Sequence, residues 1–162
     1  MKSETEIYTL IRLLRSNYGN GNGRGVYEQK WIEKSLEGSS LKKIVKNLSI
    51  TSLHILSALE TNEKTGIELA EELSVTRGGI TRAAKKLAEY KLITSKKLPH
   101  DDKKIYYFLT EAGQEIAEKH DLLHVEIKNK IVDQLSAKYS EEELNTVATF
   151  LKDLATIESE LQ

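Results

Sequence analysis

Apolar residues recur at helical spacing along most of the chain. Ile7, Leu10, Ile11 and Leu14 stand at i, i+3, i+4 and i+7, the stripe of an amphipathic helix. Glycines at 19, 21, 23 and 25 then interrupt the pattern, and glycine at that density predicts a loop. The stripe resumes from Tyr27 to Leu36, breaks at Gly38-Ser39-Ser40, and returns as a short amphipathic segment from Leu41 to Leu48. Ser49 to Leu59 predicts a helix with Leu53, Ile55, Leu56 and Leu59 turned inward. Thr65-Gly66-Ile67-Glu68 has the form of a capping box and opens a helix from Gly66 to Leu73. Ser74-Val75-Thr76 is a tight link, and Thr76 is placed to cap a helix from Arg77 to about Tyr90. The inner face of that helix is Ile80, Ala83, Ala84 and Leu87.

The period then changes. Leu92 to Lys97 and Lys104 to Leu109 are short segments rich in Ile, Thr and Tyr. They flank Leu98–Lys103, which holds the only proline, so a β-hairpin with a basic tip is predicted. Thr110 caps a long helix from Glu111 to about Leu135. Ser140 to Glu143 forms a second capping box, opening a last helix with Leu144, Val147, Ala148, Leu151, Leu154 and Ala155 on one face. The fold class is therefore mainly α with a small β-wing. A winged helix-turn-helix over 49–110 is integrated with a helical region formed by 1–48 and 111–162. The apolar stripes at both chain ends need a cover, which predicts a homodimer joined through N- and C-terminal helices.

The 162 residues suit one domain with a sizeable core. Without cysteine there is no disulfide, thiolate metal site or cysteine nucleophile. No apolar run approaches the ~20 residues a membrane span needs, and the N-terminus does not read as a signal peptide. The expectation is a cytoplasmic protein with no membrane partner. No nucleophile–base pairing is evident, and Gly19–Gly25 is not followed by the Lys-Ser or Lys-Thr of a phosphate loop. The chain is not expected to be an enzyme.

Net charge is −1, but it is unevenly spread. Arg77 to Lys104 carries nine basic and three acidic residues, whereas the chain from Glu111 onward carries twelve acidic residues and five lysines. A local basic segment is the footprint of phosphate binding, here by double-stranded DNA. In a helix-turn-helix the second helix offers its N-terminal residues to the base edges. Here those are Thr76, Arg77, Gly78, Gly79, Thr81 and Arg82, with Lys86 farther along. Arg77 and Arg82 can each read guanine with two hydrogen bonds. Two glycines in a first helical turn cost roughly 1 kcal/mol each against alanine. Close approach of backbone to DNA explains them, and so does a loosely wound first turn. Lys96, Lys97, Lys103 and Lys104 make the hairpin cationic. Asp101 would be repelled by phosphate, and its simplest role is to hold a neighbouring cation.

Residues 50–115 resemble the MarR family of bacterial regulators. The resemblance rests on Gly66-Ile-Glu-Leu-Ala-Glu-Glu-Leu-Ser-Val-Thr76, on Ile80-Thr-Arg82, on Leu92-Ile93, and on Asp101-Asp-Lys103 set before Leu109-Thr110-Glu-Ala-Gly113. Lys103 stands where the family usually has arginine. A lysine neutralises a phosphate but lacks the planar fork. The resemblance implies a homodimeric DNA-binding regulator of transcription. A pocket between the dimer helices and the DNA-binding region would then be expected to take an effector. Tyr8, Tyr18, Tyr27 and Trp31 are available to line one for a small aromatic molecule.

His120 and His124 lie at i and i+4 on the helix after the wing, a spacing that lets two imidazoles share one metal. Such a pair is more often solvent-exposed and idle. The chain is similar, however, to the zinc-sensing branch of the MarR family. In that branch a histidine at the position of His54, the pair at His120 and His124, and an upstream glutamate form a Zn2+ site. Glu37 and Glu33, one turn apart on one face, are the candidates for that glutamate. The branch's second metal site uses a cysteine and glutamates. Here there is no cysteine, and Leu53 and Lys119 occupy the glutamate positions, so no second site of that design is expected. The resemblance implies a zinc-responsive repressor of metal-uptake genes on a palindromic operator.

Overall fold

The computed structural model describes residues 6–7, 9–11, 13–14 and 24–160. The described residues between 6 and 14 are helical, and Ile7, Leu10, Leu13 and Leu14 are exposed. Helix α1 spans Arg24–Ser35, α2 Leu41–Val45 and α3 Ile50–Ala58. A two-residue strand, β1 (Lys64–Thr65), precedes α4 (Gly66–Glu72) and α5 (Arg77–Glu89). Strands β2 (Ile93–Leu98) and β3 (Asp101–Leu109) form the hairpin, followed by α6 (Glu111–Ser136) and α7 (Glu141–Glu160).

Most elements begin and end where local chemistry dictates. Ser49 accepts a hydrogen bond from the Ser52 amide to cap α3. Thr65 and Glu68 close the predicted capping box of α4 in both directions. Thr76 caps α5 by accepting from the Gly79 amide at 3.1 Å. Helices α4 and α5 both end in Schellman turns. The Val75 amide donates to the Ala70 carbonyl and the Leu92 amide to the Leu87 carbonyl. The residues at the left-handed position are Ser74 (φ 52°) and Lys91 (φ 57°), where glycine is usual.

Two boundaries differ from the sequence expectation. Arg24 and Gly25 belong to α1, although they close the glycine-rich stretch; residues 19–23 lie outside the described set. Glu28, Ile32 and Leu36 form a buried stripe at spacing four, and its packing extends the helix back into the glycines. The wing is also longer and tighter than expected. Leu98 pairs with Asp101, so Pro99-His100 alone makes the turn, and the expected loop residues 101–103 are in β3. The short β1 was not foreseen. Lys64 and Thr65 pair with Tyr107 and Tyr106, giving a three-stranded antiparallel sheet of order β1-β3-β2.

The chain divides into two compact units, 1–123 and 124–162. The first has a continuous core. Ile32, Leu53, Leu56, Leu69, Ile80, Leu87, Ile116 and Leu123 are fully buried, and each such side chain contributes about 1.5–3 kcal/mol relative to exposure. The second unit holds the end of α6 and all of α7. Helix α7 buries none of its residues. Val132, Leu135, Val147, Phe150, Leu151 and Ile157 are 40–55% exposed.

Candidate nucleic-acid interface and metal centre

Helix α5 presents one apolar and one cationic face. Ile80, Ala83, Ala84 and Leu87 are buried, while Thr76, Arg77, Gly78, Thr81, Arg82 and Lys86 are exposed and Gly79 is half-buried. The Thr81 hydroxyl donates to the Arg77 carbonyl at 2.9 Å, which leaves its oxygen able to accept. An alanine methyl at Gly78 would meet only the Arg82 guanidinium, at 3.8 Å, so that glycine has open space on its outer side.

Asp101 organises the wing tip. Its carboxylate accepts from the Lys103 and Lys104 amides at 3.2 and 3.3 Å, and from the Tyr106 hydroxyl at 3.3 Å. The Lys104 ammonium stands 3.6 Å away. These hydrogen bonds and charges hold the Asp101 carboxyl below its ordinary range against the opposing effect of desolvation. Lys96, Lys97, Lys103 and Lys104 are exposed, and the Lys96 ammonium sits 4.5 Å above the Phe108 ring.

One feature beside α5 was missed from the sequence. Lys46, Asn47, Ser49 and Thr51 face Gly79, Arg82 and Lys86 across a notch of about 480 Å³. Its two sides lie some thirty residues apart in the chain, so no local spacing reveals it.

The second cluster draws its residues from α1, α3 and α6. Glu28 is 3% exposed on α1 and His120 is 2% exposed on α6. Glu28 Oε2 lies 3.7 Å from His120 Nε2 and 3.9 Å from His54 Nε2. The His54 and His120 rings meet edge to face with centroids 5.2 Å apart. His124 follows one turn farther along the unbroken helix α6, and donor atoms of Glu28, His54, His120 and His124 all fall within 4.8 Å of one another. Three imidazoles and one carboxylate are a zinc donor set. Tetrahedral ligands at about 2.0–2.1 Å stand roughly 3.4 Å from each other, so the spacings at Glu28 need contract by only a few tenths of an ångström. The residues present fit the ion.

The structure therefore brings His54, His120 and His124 together with Glu28, and places Glu37 and Glu33 elsewhere. Glu33 pairs with Lys46 at 3.2 Å and Glu37 with Lys42 at 3.5 Å. The reason is helical phase. Glu28 shares the buried stripe with Ile32 and Leu36, whereas Glu33 is one residue, about 100°, off it. The signal was available as a carboxylate on the apolar face. Of the aromatic residues considered for an organic effector, Tyr8 and Tyr18 lie outside the described residues, and Tyr27 is 47% exposed.

Hydrogen bonds continue outward from His120. Ser57 Oγ lies 2.7 Å from His120 Nδ1 and donates to Asp121 Oδ1 at 2.9 Å. Nearby, the Gln114 amide donates to both Glu60 and Glu118. Burial, then the hydrogen bond and charge of Asp121 and the charge of Glu118, push the Glu60 carboxyl up to about 7 despite Gln114.

Comparison with known proteins accords with this geometry. The family profile of the transcriptional regulators SarA/Rot matches residues 35–120. The regulator ZitR of Lactococcus lactis is 32% identical over 107 residues, 66% of this chain and 73% of ZitR. Its crystal structure, described as that of a zinc-responsive MarR family member, superposes with a TM-score of 0.60 at 30% identity, covering 71% of this chain and 77% of that one. The chain belongs to the MarR family. This MarR-family protein is a DNA-binding transcriptional regulator. The adhesin competence repressor AdcR of Streptococcus pyogenes matches with a TM-score of 0.59 at 29% identity, over 78% of this chain and 93% of AdcR. FabT of Streptococcus pneumoniae, solved in complex with DNA, matches with a TM-score of 0.66 at 25% identity over 94% and 99% of the two chains.

Proposed function

We propose that the protein is a zinc-responsive repressor of metal-uptake genes that binds a palindromic operator as a homodimer. The observation that carries this reading is the convergence of Glu28, His54, His120 and His124 donor atoms within 4.8 Å. The zinc-responsive character of ZitR supports it. Bound by these four residues, zinc supplies a cross-link between α1, α3 and α6. His54 stands on the helix that leads into the helix-turn-helix, and His120 on the helix that leaves the wing. Fixing their separation favours conformers whose recognition helices match the operator spacing.

On the operator, Arg77 and Arg82 read base edges, with Thr76 and Thr81 beside them. Gly78 lets the backbone approach, while Gly79 beside it leaves no room for a Cβ, which would stand 2.9 Å from a Val75 methyl. Lys86, Lys96, Lys97, Lys103 and Lys104 neutralise phosphates, and Asp101 holds the wing tip in shape. Lys46, across the notch from Arg82, takes a further phosphate. A second copy covers the apolar residues of the terminal helices, and two-fold symmetry sets the half-sites about one DNA turn apart. The protein works in the cytoplasm and catalyses nothing. No helix among the described residues is long and apolar enough to cross a membrane.

Selection of random duplexes with and without zinc tests the reading. Zinc should sharpen recovery of a palindrome by the wild type, and His120→Ala/His124→Ala should abolish the response. Equal recovery without metal by both proteins would overturn the zinc part and leave the DNA part standing.

A further inference from the structure

The hydrogen bonds behind His120 decide which of its ring nitrogens carries the proton. Ser57 has one hydroxyl proton and two near neighbours, His120 Nδ1 at 2.7 Å and Asp121 Oδ1 at 2.9 Å. A carboxylate oxygen can only accept, whereas an imidazole nitrogen either donates or accepts. The serine proton therefore goes to Asp121. The serine oxygen must then accept from His120, which requires a proton on Nδ1. In a neutral imidazole that leaves the lone pair on Nε2. Nε2 is the nitrogen on the Glu28 side, 3.7 Å from Oε2.

We infer that Ser57, itself oriented by Asp121, is a positioning residue that holds His120 in the Nδ1–H form, with its Nε2 lone pair aimed at the Glu28–His54 cluster to take a divalent cation. This rests on the metal reading above, but the tautomer can be measured without metal. The opposite form, with the proton on Nε2, would make Ser57 donate to Nδ1. It would strip Asp121 of its serine hydrogen bond and turn an N–H, not a lone pair, toward the metal position.

The placement follows from two helices crossing. Ser57 lies three residues after His54 on α3, so both stand on the same side of that helix. One thus supplies a donor nitrogen while the other fixes the donor nitrogen of α6. The His120 ring is 2% exposed, so water has little access to compete for Nδ1. Groups that orient a ligating histidine through its second nitrogen are commonly as necessary as the ligands, and their loss typically weakens metal affinity by 10–100-fold.

The test uses the full chain, ¹⁵N-labelled at histidine and freed of metal, at mildly alkaline pH. Ring-nitrogen shifts of His120 should show a protonated Nδ1 and an unprotonated Nε2. Ser57→Ala should erase that signature and weaken zinc binding about 10–100-fold in competition with a chelating dye. Ser57→Thr, which keeps the hydroxyl, should preserve both, which separates positioning from packing. A protonated Nε2 in a wild type that binds zinc would overturn the inference and leave the zinc reading intact. So would wild-type zinc affinity in Ser57→Ala. A wild type that retains no zinc at micromolar free metal, yet shows the Nδ1–H signature, would overturn the zinc reading while the tautomer assignment stood.

Discussion

Replacing Gly113 by alanine tests how the wing positions the helix that carries His120. Gly113 lies in the first turn of α6, where its amide donates to the Thr110 hydroxyl at 3.1 Å. An alanine Cβ there would stand 2.0 Å from the Leu92 carbonyl oxygen and 3.1 Å from a Leu109 methyl. Ordinary contact begins near 3.4 Å, so helix and strand must part by more than an ångström. The Leu92 carbonyl cannot swing aside freely, because it accepts from the Thr110 amide at 3.1 Å and the Thr110 hydroxyl at 3.0 Å. Alanine gains about 1 kcal/mol in helix propensity. Forced overpacking costs about 1–3 kcal/mol, and two strained hydrogen bonds add about 1 kcal/mol each. The net loss is about 2–4 kcal/mol, a fall in Tm of roughly 4–16 °C for a chain of this size. Thermal melting of Gly113→Ala checks it, with Gly66→Ala as control, since its methyl would meet Tyr107 at an ordinary 3.7 Å. His120 lies seven residues farther along the same helix, so Gly113→Ala should also weaken zinc binding. A variant that melts at or above the wild type would refute the close-approach argument.

Three further outcomes are expected. Gly78→Ala should raise stability by about 0.5–1 kcal/mol, because its methyl meets only the Arg82 side chain at 3.8 Å; fluorescence anisotropy should show weaker operator binding, and unchanged affinity would refute close backbone approach. Glu60 ionises at about 7 in the fold against 4.5 ordinarily, so the folded state binds more protons between those values and stability should fall as pH rises through that window. Denaturant unfolding of Glu60→Gln should lack that decline, and an identical pH profile would contradict the assigned burial. Lys46→Ala should reduce the salt slope of DNA binding by about one without altering sequence preference; an unchanged slope would remove Lys46 from the interface.

The parts of the fold that were legible in the sequence are those written in local chemistry. Thr65 with Glu68, Thr76 and Thr110 each announce a helix start, and the apolar stripe of Ile80, Ala83, Ala84 and Leu87 gives α5 its orientation. The exposed cationic face of α5, with Arg77, Arg82 and Lys86, follows from that phase. What stayed hidden depends on distant partners. β1 is too short to carry a period and exists because Tyr106 and Tyr107 pair with it. The wing turn shortened because Asp101 gathers the amides that follow it. The cluster of Glu28, His54, His120 and His124 was half legible. The i, i+4 histidines are a local signal, but Glu28 becomes visible only once Ile32 and Leu36 define the buried face. Ser57 gave no signal at all, since its partners lie more than sixty residues away.

Helix α7 has twenty residues and buries none of them. Most of a helix's stability in a protein comes from packing its apolar face rather than from propensity, so the persistence of α7 depends on a cover for its Val147, Phe150 and Leu151. If the cover is a second copy, dilution acts on this segment as a denaturant would. Halving the amount of protein in a cell would then do more than halve operator occupancy. It would also lengthen the time each chain spends with a frayed, protease-accessible end, and tie the regulator's lifetime to its own abundance.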